Sequence, residues 1–453
     1  MHRSVKLALL GVIFVAKFIT AANYTNSEDT IDMAGVRPPQ EPLDVENYPV
    51  APEGLKLDQV HVYVRHGERA PVGVRLADPP ASIPPHWMLC TAARQFRAVL
   101  NTNTGAFDGD PLPLKRLVER KDGTSAEGEC LLGELTDVGR KSTFEYGAAL
   151  RKLYVERLGF LPDKLLNAEQ AYFRSTNMAR TMESLQHIIS GLYPAEKCPN
   201  TLPPILIRNG KDENLLGNTF SCKRLEILQI GFAQAAANLY NPALGSLDKR
   251  LSKYIGGHPV RVDGKPRASG IMDTIRAASA HGIKVPPEFE EKAVVDLIEK
   301  AVVAEWFSGA HVFHITTPIS TSFTLNIPSP TPKATRPRST HDTAIAALCS
   351  TLDVYDELWP PFTAAITFEL FSRTPEPASS HPSYLQGILN PFKPREHYVR
   401  MRYQNKNMAL PFCGADGKHL PGHAEFCTLA AFQERVAELT PLDYDAECAV
   451  PRP

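Results

Sequence analysis

Residues 60–71 have the sequence VHVYVRHGERAP, a short apolar and β-branched run that ends abruptly at Arg-His-Gly. A run of this kind is typical of a buried strand. The strand delivers His66 between two arginines, and Gly67 allows a close approach of the backbone. Because ligands of α/β proteins bind at the carboxyl ends of strands, we expect a ligand site here.

The order strand, arginine, helix occurs a second time further along the chain. Residues 171–173 are typical of a strand that stops at Arg174, and apolar residues then recur at helical spacing up to Pro194. Residues 365–371 and 398–403 are typical of late strands. This alternation predicts an α/β fold: a three-layer α/β/α core with a mainly parallel sheet, and a smaller, mostly helical insertion or cap domain.

Length and composition limit this prediction further. A chain of 453 residues allows up to three domains, but the pattern favours one core with an insertion. The parts are a signal peptide (1–22), an extended Pro-rich lead-in (23–54), the core (55–200 and 341–450), the helical insertion or cap (201–306) and an atypical Ser/Thr/Pro-rich segment (307–340). A net charge of −1 excludes nucleic-acid or membrane binding driven by bulk charge, and 43% hydrophobic residues exclude global disorder.

The first residues predict secretion. Arg3 and Lys6 precede an apolar run at 7–16, and small residues at 20–22 offer a cleavage site. An uncleaved signal anchor and a mitochondrial presequence are the alternatives. Asn23 begins a glycosylation sequon, which favours a secreted glycoprotein.

Eight cysteines, an even number, fit a secreted enzyme with disulfide bonds. Cys413 and Cys427 bracket a short loop and are the pair most readily bridged, whereas Cys349 lies in an apolar stretch typical of a buried thiol. The sequence contains no C-x-x-C pair, so a zinc ribbon or a thioredoxin-type site has no support. His311 and His314 lie close together but lack the partner residues of a metal site.

The residues that follow the first strand indicate phosphate chemistry. The planar fork of arginine suits bidentate contact with phosphate oxygens. An imidazole between two arginines can be the nucleophile that forms a covalent intermediate. The alternative is a basic cluster at the surface, in which His66 is only hydrogen-bonded.

The pattern Arg65-His66-Gly67-x-Arg69-x-Pro71 resembles the signature of the histidine acid phosphatases, the large branch of the histidine phosphatase superfamily. Four further segments are similar to that family: LTDVG at 135–139, FRSTN at 173–177, HDT at 341–343 and WPPF at 359–362. The RSTN and WPPF segments resemble lysophosphatidic acid phosphatases in particular.

The resemblance implies an acid phosphatase that hydrolyses small phosphate monoesters without a metal or another cofactor. His66 is implied as the nucleophile that becomes a phosphohistidine, and Asp342 as the acid that protonates the departing alcohol. The phosphoryl oxygens are assigned to four side chains: Arg65, Arg69, Arg174 and His341. A histidine with a pKa near about 6.5 and a carboxyl acid predict an acidic optimum. No nucleic-acid partner and no stable membrane insertion are expected, and the oligomeric state is left open.

Several of these residues have plainer alternatives. Arg174 is also explained as a strand-end arginine paired with a carboxylate, and Arg180 fits a solvated helix face. His341 and Asp342 are also typical of the start of a helix. A phytase or a mutase-like phosphotransferase of the same superfamily is the alternative activity.

The residues before His341 depart from the family. A core strand is expected there, but residues 332–340 have the sequence PKATRPRST, with almost nothing apolar to bury, and Pro337 removes a ladder donor. The chain is rich in proline, with 39 residues, and part of the excess falls in this region. We therefore predict that this stretch is not a central strand, which leaves a phosphate-binding protein without turnover as a further alternative.

Overall fold

The structure is a computed structural model that describes residues 41–92, 116–167, 171–199, 203–308, 334–373 and 396–450, together with the backbone of 96–97 and 113–114. The predicted signal peptide, the lead-in before residue 41, and His311 and His314 lie outside the described residues.

A sheet of nine described strands forms the centre of the molecule. In chain order the strands are β1 (Leu55–Arg65), β2 (Phe173–Ser175), β3 (Ile205–Leu206), β4 (Ala334–Thr340), β5 (Ala365–Arg373), β6 (His397–Tyr403), β7 (Lys406–Met408), β8 (His419–Leu420) and β9 (His423–Thr428). Their spatial order is β8-β9-β6-β5-β1-β4-β2-β3, and β7 pairs with β6. The sheet is mixed: β1, β4, β2 and β3 are parallel, and the remaining pairs are antiparallel.

Some helices cover the two faces of this sheet, and others build the insertion. In chain order the helices of five or more residues are α1 (Asp137–Arg151), α2 (Ala179–Leu192), α3 (Lys223–Leu244), α4 (Ala268–Ala280), α5 (Lys292–Phe307), α6 (Asp342–Thr351), α7 (Leu429–Leu439) and α8 (Tyr444–Cys448). A shorter helix, Asp248–Leu251, follows α3. Val62 of β1 packs with residues of α1 and α2, whereas the next residue, Tyr63, packs with residues of α6 and α7. Burial on both faces explains the apolar run of β1. The predicted three-layer α/β fold is confirmed.

The prediction that residues 332–340 hold no central strand is wrong, because β4 lies between β1 and β2. The ladder with β1 is continuous, and Pro337 stands opposite Val62. The ladder with β2 is interrupted between Thr335 and Arg338. Pro337 falls inside that interruption, so its missing N–H breaks no pair that the strand forms there.

The polar side chain of Arg338 in β4 is buried against aromatic rings, whereas a core strand was expected to bury apolar side chains. Arg338 is 3% exposed, and its guanidinium lies 4.8 Å from the ring centroid of Tyr63 and 5.4 Å from that of Tyr172. Cation–π contacts therefore replace apolar ones. His341 and Asp342 follow directly at the carboxyl end of β4, so the reason for expecting a protein without turnover does not hold.

The helices of the insertion pack against the loop that follows β1. Ile83 and Trp87 of this loop share one apolar cluster with Ile271 of α4 and Ile298 of α5. The same contact brings α4 close to the Arg-His-Gly segment, where the side chain of Asp273 accepts a hydrogen bond from a loop amide.

Three disulfides join described residues: Cys90–Cys130, Cys222–Cys448 and Cys413–Cys427. The predicted bridge between Cys413 and Cys427 is therefore confirmed. Cys349 is a buried free thiol, also as predicted.

The end of the lead-in is fixed to the sheet by a buried polar group. The hydroxyl of Tyr48 donates to Oε1 of Glu369 in β5 at 2.7 Å. Arg400 of β6 donates to Oε2 of the same carboxylate at 2.8 Å and to the Tyr48 hydroxyl at 2.5 Å. Glu369 and Arg400 are fully buried, so this group satisfies charges that would otherwise be costly.

Candidate active site

The loop after β1 is held tightly by its neighbours. The N–H of His66 donates to the carbonyl of Thr340 at 3.0 Å, and the N–H of Gly67 donates to Oγ of Ser184 in α2 at 3.0 Å. A Cβ at Gly67 would lie 2.6 Å from the carbonyl oxygen of Gly139 in α1. Only glycine therefore allows α1 to pack this closely against the loop.

One hydrogen bond decides which nitrogen of His66 can react. Nδ1 lies 2.9 Å from the carbonyl oxygen of Gly67. Because a carbonyl only accepts, Nδ1 carries the hydrogen, and the lone pair of the neutral ring is on Nε2. The ring centroid of His66 lies 5.6 Å from that of His341 and 5.9 Å from that of Phe362.

The surroundings of His66 favour the neutral form of its imidazole. Burial holds the pKa of His66 well below its ordinary value, and the charges of Arg65, Arg69 and Arg180 lower it further, as does His341. The ordinary histidine pKa of about 6.5, on which the expected acidic optimum was based, does not apply to this ring.

Arg65 contacts Asp342 and the segment that contains Pro360 and Phe362. Its Nη2 lies 2.6 Å from Oδ2 of Asp342, and its Nη1 donates to the carbonyl of Pro360 at 2.6 Å. The guanidinium stands 4.4 Å from the ring centroid of Phe362. Burial lowers the pKa of Arg65 to about 10, so the group is charged in acid and at neutral pH. Its Nε has no acceptor among the described residues.

Asp342 begins α6 and is ionised in the free site. Burial alone would raise the pKa of its carboxyl, but Arg65, His341, Arg69 and the N–H of Thr343 outweigh burial and hold the pKa below its ordinary value. A carboxylate in this state cannot give a proton until its surroundings change.

Arg69 and His341 complete the group that the sequence predicts around His66. Nη1 of Arg69 lies 2.8 Å from Oδ1 of Asp273, which α4 contributes. Nε2 of His341 lies 3.0 Å from Oγ1 of Thr176. Burial and the charge of Arg180 lower the pKa of His341 to about 3, so this ring is also neutral in acid.

Arg180 also acts on this group, although its sequence position predicts a solvated helix face. This residue lies in the first turn of α2, shortly after the carboxyl end of β2. Its charge lowers the pKa of both His66 and His341, and its buried Nε has no acceptor among the described residues. The prediction of a solvated helix face is therefore wrong. The position of Arg180 in the sequence could have indicated its role, because the N-termini of helices that follow parallel strands point at ligands.

Arg174 is not part of this group, which corrects its prediction as a phosphate ligand. Its Nη2 lies 2.6 Å from Oε1 of Glu213, its Nη1 donates to Asn214 at 2.6 Å, and its side chain is 2% exposed. The plainer alternative, a strand-end arginine paired with a carboxylate, is the observed arrangement. Its two Nη atoms are thereby committed within the protein, and Arg174 is not among the main charges that shift the pKa of His66, His341 or Asp342.

Residues 56–297 match the family model of the histidine phosphatase superfamily, branch 2. The chain belongs to this family. A probable acid phosphatase of Schizosaccharomyces pombe is 35% identical over 444 residues, which cover 88% of this chain and 95% of the relative. Human lysophosphatidic acid phosphatase type 6 is 25% identical over 421 residues, 88% of each chain.

Solved structures of other proteins share the fold of this histidine phosphatase. The phytase from D. castellii matches with a TM-score of 0.53 and 14% identity, over 90% of this chain and 85% of that one. Klebsiella sp ASR1 phytase matches with a TM-score of 0.51 and 15% identity, over 88% of this chain and 100% of that one.

This histidine phosphatase is a phosphoric monoester hydrolase of the acid phosphatase type. Its site offers a neutral imidazole, three guanidinium groups and a carboxylate, which are the groups that positioning and charge stabilisation in phosphoryl transfer require. In the described part of the chain, no cluster of three or more His, Cys, Asp or Glu side chains could hold a metal ion. No helix in that part has the length and apolar character needed to cross a bilayer.

Proposed function

We propose that the enzyme hydrolyses phosphate monoesters through a phosphohistidine on Nε2 of His66. The observation that carries this proposal is the bond from Nδ1 of His66 to the carbonyl of Gly67. It fixes the tautomer with the lone pair on Nε2, while burial among arginines keeps the ring unprotonated in acid. A nucleophile of this kind needs no separate base to activate it.

Arg65, Arg69 and Arg180 hold the phosphoryl oxygens in this mechanism. Each has a buried Nε–H that finds no acceptor among the described residues, and a buried donor without a partner is costly. Arg174 has such an Nε–H too, but the arginines whose charges lower the pKa of His66 are Arg65, Arg69 and Arg180. Phosphoryl oxygens would satisfy these donors and spread the charge that develops in transfer. His341, beside His66, borders the same space.

Proton transfer follows from the pairing of Arg65 with Asp342. An anionic phosphate at Arg65 draws the guanidinium away from the carboxylate and adds negative charge nearby, so the pKa of Asp342 rises and the carboxyl takes up a proton. As Nε2 of His66 bonds to phosphorus and the ester P–O bond breaks, Asp342 gives that proton to the alcohol oxygen. Water then attacks phosphorus, the P–N bond breaks, and the Asp342 carboxylate accepts a proton from the water.

The substrate we propose is a monoester with a single phosphate and an apolar group, of the lysophosphatidate type. Apolar side chains are exposed next to the phosphate site: a Cβ at Gly133 would lie 3.4 Å from Val72 and 3.8 Å from Nη1 of Arg180. Val74 and Leu132 line the adjacent small cavity, and both are about half exposed. Two related proteins carry the name lysophosphatidic acid phosphatase or acid phosphatase, which agrees with this choice.

The second candidate, a phytase-type activity, is favoured only by the fold of its structural neighbours. A substrate with many phosphates needs free cations around the mouth of the site. Arg69 and Arg75, which flank the apolar rim, are both neighbours of Asp273, at 2.8 and 3.7 Å, and this carboxylate offsets their charge.

Two measurements test the proposal. His66→Ala should abolish hydrolysis of 4-nitrophenyl phosphate at acidic pH, and a chelator should not change the activity of the native enzyme. The phosphoenzyme trapped on quenching should be stable in base and labile in acid, as a phosphohistidine is, whereas an aspartyl phosphate is labile in base. Near-normal turnover by His66→Ala would overturn the mechanism. A panel of lysophosphatidate, glycerol 2-phosphate and phytate should give the highest kcat/KM for lysophosphatidate. A preference for phytate would establish the second candidate instead.

We also propose that the enzyme is a secreted glycoprotein cleaved after residue 22. The predicted signal peptide supports this, as do the disulfides among the described residues, which persist in oxidising compartments. Expression in a secreting eukaryotic host should give a protein in the medium that begins at Asn23 and loses mass with an endoglycosidase that cuts within the glycan. Retention of the enzyme in mitochondria or as an anchored form would contradict the proposal.

A further inference from the structure

A tryptophan contacts the proton donor of the site. Nε1 of Trp359 donates to Oδ2 of Asp342 at 3.2 Å. The same oxygen lies 2.6 Å from Nη2 of Arg65. Oδ1 of Asp342 accepts from the N–H of Thr343 at 2.9 Å. When phosphate draws Arg65 away, Trp359 is the donor that still fixes the direction of Oδ2.

Helices of the insertion hold Trp359 in place. The backbone N–H of Trp359 donates to Oε1 of Glu299 in α5 at 2.8 Å. Glu299 is buried and also pairs with Arg276 of α4 at 2.7 Å. A buried carboxylate paired with arginine is an anchor that is costly to break.

The indole ring is fixed by its neighbours as well as by its backbone. Its centroid lies 4.7 Å from that of Phe307 and 6.0 Å from that of Trp306, both at the end of α5. Aromatic packing of this kind restricts the ring to one orientation. The direction of the Nε1–H bond is therefore set by the insertion rather than by the core.

We propose that Trp359 is a positioning residue that aims Oδ2 of Asp342 at the leaving oxygen, and that the insertion controls leaving-group protonation through it. The inference rests on the proposed role of Asp342 as proton donor. The other groups that face this carboxyl are Arg65 from β1, Arg69 from the loop after β1, Arg180 from α2, and His341. None of them is removed by changing Trp359.

The leaving group distinguishes this role from a merely structural one. An alkyl alcohol is a poor leaving group and needs the proton from Asp342, whereas 4-nitrophenolate leaves without one. The value of kcat/KM covers the steps up to loss of the leaving group, so its ratio between the two substrate types reports the protonation step. A loss of general stability or of phosphate binding lowers both values alike.

The experiment compares Trp359→Phe with the native enzyme on 4-nitrophenyl phosphate and glycerol 2-phosphate. Phe keeps an aromatic ring against Phe307 but has no N–H. We expect kcat/KM for glycerol 2-phosphate to fall about tenfold more than kcat/KM for 4-nitrophenyl phosphate, in line with the loss of one hydrogen bond to a charged group. Trp306→Phe is the matched control: it makes the same change in the adjoining ring, and the ratio should stay at the native value. Equal losses on both substrates in Trp359→Phe would overturn the inference.

Asp342→Asn separates failure of this inference from failure of the mechanism. If Asp342→Asn shows the larger loss on glycerol 2-phosphate and Trp359→Phe does not, Asp342 is the donor and Trp359 does not position it. If Asp342→Asn loses both activities equally, the proposed role of Asp342 fails first, and the inference fails with it. If Trp359→Phe does not fold, Glu299→Gln tests the same chain of contacts. We expect a smaller change in the ratio of kcat/KM between glycerol 2-phosphate and 4-nitrophenyl phosphate. An unchanged ratio would count against the inference.

Discussion

Nη2 of Arg65 lies 2.6 Å from Oδ2 of Asp342, so one guanidinium contacts the proposed proton donor and belongs to the proposed phosphate site. In the proposed mechanism this pairing couples phosphate binding to proton transfer. Arg65 helps to hold the pKa of the Asp342 carboxyl below its ordinary value, and an anion that competes for Arg65 would raise that pKa. A carboxyl that is protonated only when an anion is bound does not lose its proton to water between turnovers.

Binding of phosphate should therefore be accompanied by proton uptake. The folded-state pKa of Asp342 is below its ordinary value in the free site and rises when an anion binds, so the complex holds more protons than the free enzyme around pH 5. Proton uptake can be measured by calorimetric titration with inorganic phosphate in two buffers of different ionisation enthalpy. On binding phosphate, the native enzyme should take up as much as one proton more than Asp342→Asn. The same proton count in both proteins would contradict the coupling.

Arg180 and Arg174 should have opposite phenotypes. Arg180→Ala removes a charged donor from the phosphoryl group, so kcat/KM should fall about a hundredfold, equivalent to roughly 3 kcal/mol, with little change in Tm. Arg174→Met leaves Glu213 buried without its partner, and the free energy of unfolding should fall by about 3 kcal/mol. Activity per folded molecule should then change less in Arg174→Met than in Arg180→Ala. The reverse order of effects would return Arg174 to the phosphate site.

Close packing of α1 against the catalytic loop should make Gly139 intolerant of a side chain. A Cβ at Gly139 would overlap the carbonyl oxygen of Glu68, which is backbone and cannot swing away. Gly139→Ala should lower the free energy of unfolding by about 1–3 kcal/mol, measured by urea unfolding, and should lower kcat as the loop shifts. Gly231→Ala is the matched control, because Gly231 is exposed in α3 with no atom within 4 Å, and Ala there should stabilise by about 0.5–1 kcal/mol. Equal effects of the two changes would refute this account.

Stability in acid should depend on His61. Burial and the charges of Arg338 and Arg336 hold the pKa of this ring well below its ordinary value, so below pH about 6.5 the unfolded chain binds a proton that the folded chain does not. This contribution to stability is complete above the unfolded pKa and is lost as pH falls from it toward the folded pKa. In that pH window the free energy of unfolding should decrease less steeply with falling pH in His61→Gln than in the native enzyme, by about 1.4 kcal/mol per pH unit. An unchanged slope in His61→Gln would contradict the assignment.

The parts of the fold that followed from sequence were those governed by local patterns. β1 and the late strands were found because apolar and β-branched residues run together, and the segment at 65–71 was found because strand, glycine and arginines occur in one short stretch. β4 was missed because its stability comes from neighbours distant in the sequence. The guanidinium of Arg338 packs against the rings of Tyr63 and Tyr172. Pro337 is tolerated because the ladder between β4 and β2 is interrupted at its position. Neither fact is visible in residues 332–340 alone.

The exchange of Arg174 for Arg180 has a similar cause. The two lie six positions apart, and both are arginines near the end of one strand, so composition does not distinguish them. Glu213, which lies almost forty positions away from Arg174, forms an ion pair with it. Arg174 is therefore held away from His66. Side-chain direction, set by the alternation of β2 and the first turn of α2, then leaves Arg180 beside His66.

The buried group at Tyr48 limits how the chain can mature. A cut between residues 23 and 41 leaves intact the hydrogen bonds that join the Tyr48 hydroxyl to Glu369 and Arg400. It also leaves intact the carbonyl of Pro42, which accepts a hydrogen bond from Asn405. A cut beyond Tyr48 would leave a carboxylate and a guanidinium at the centre of the sheet with one partner fewer. Trimming of the N-terminus by peptidases should therefore stop ahead of Pro42, and a mature form that began later would be a damaged enzyme rather than a processed one.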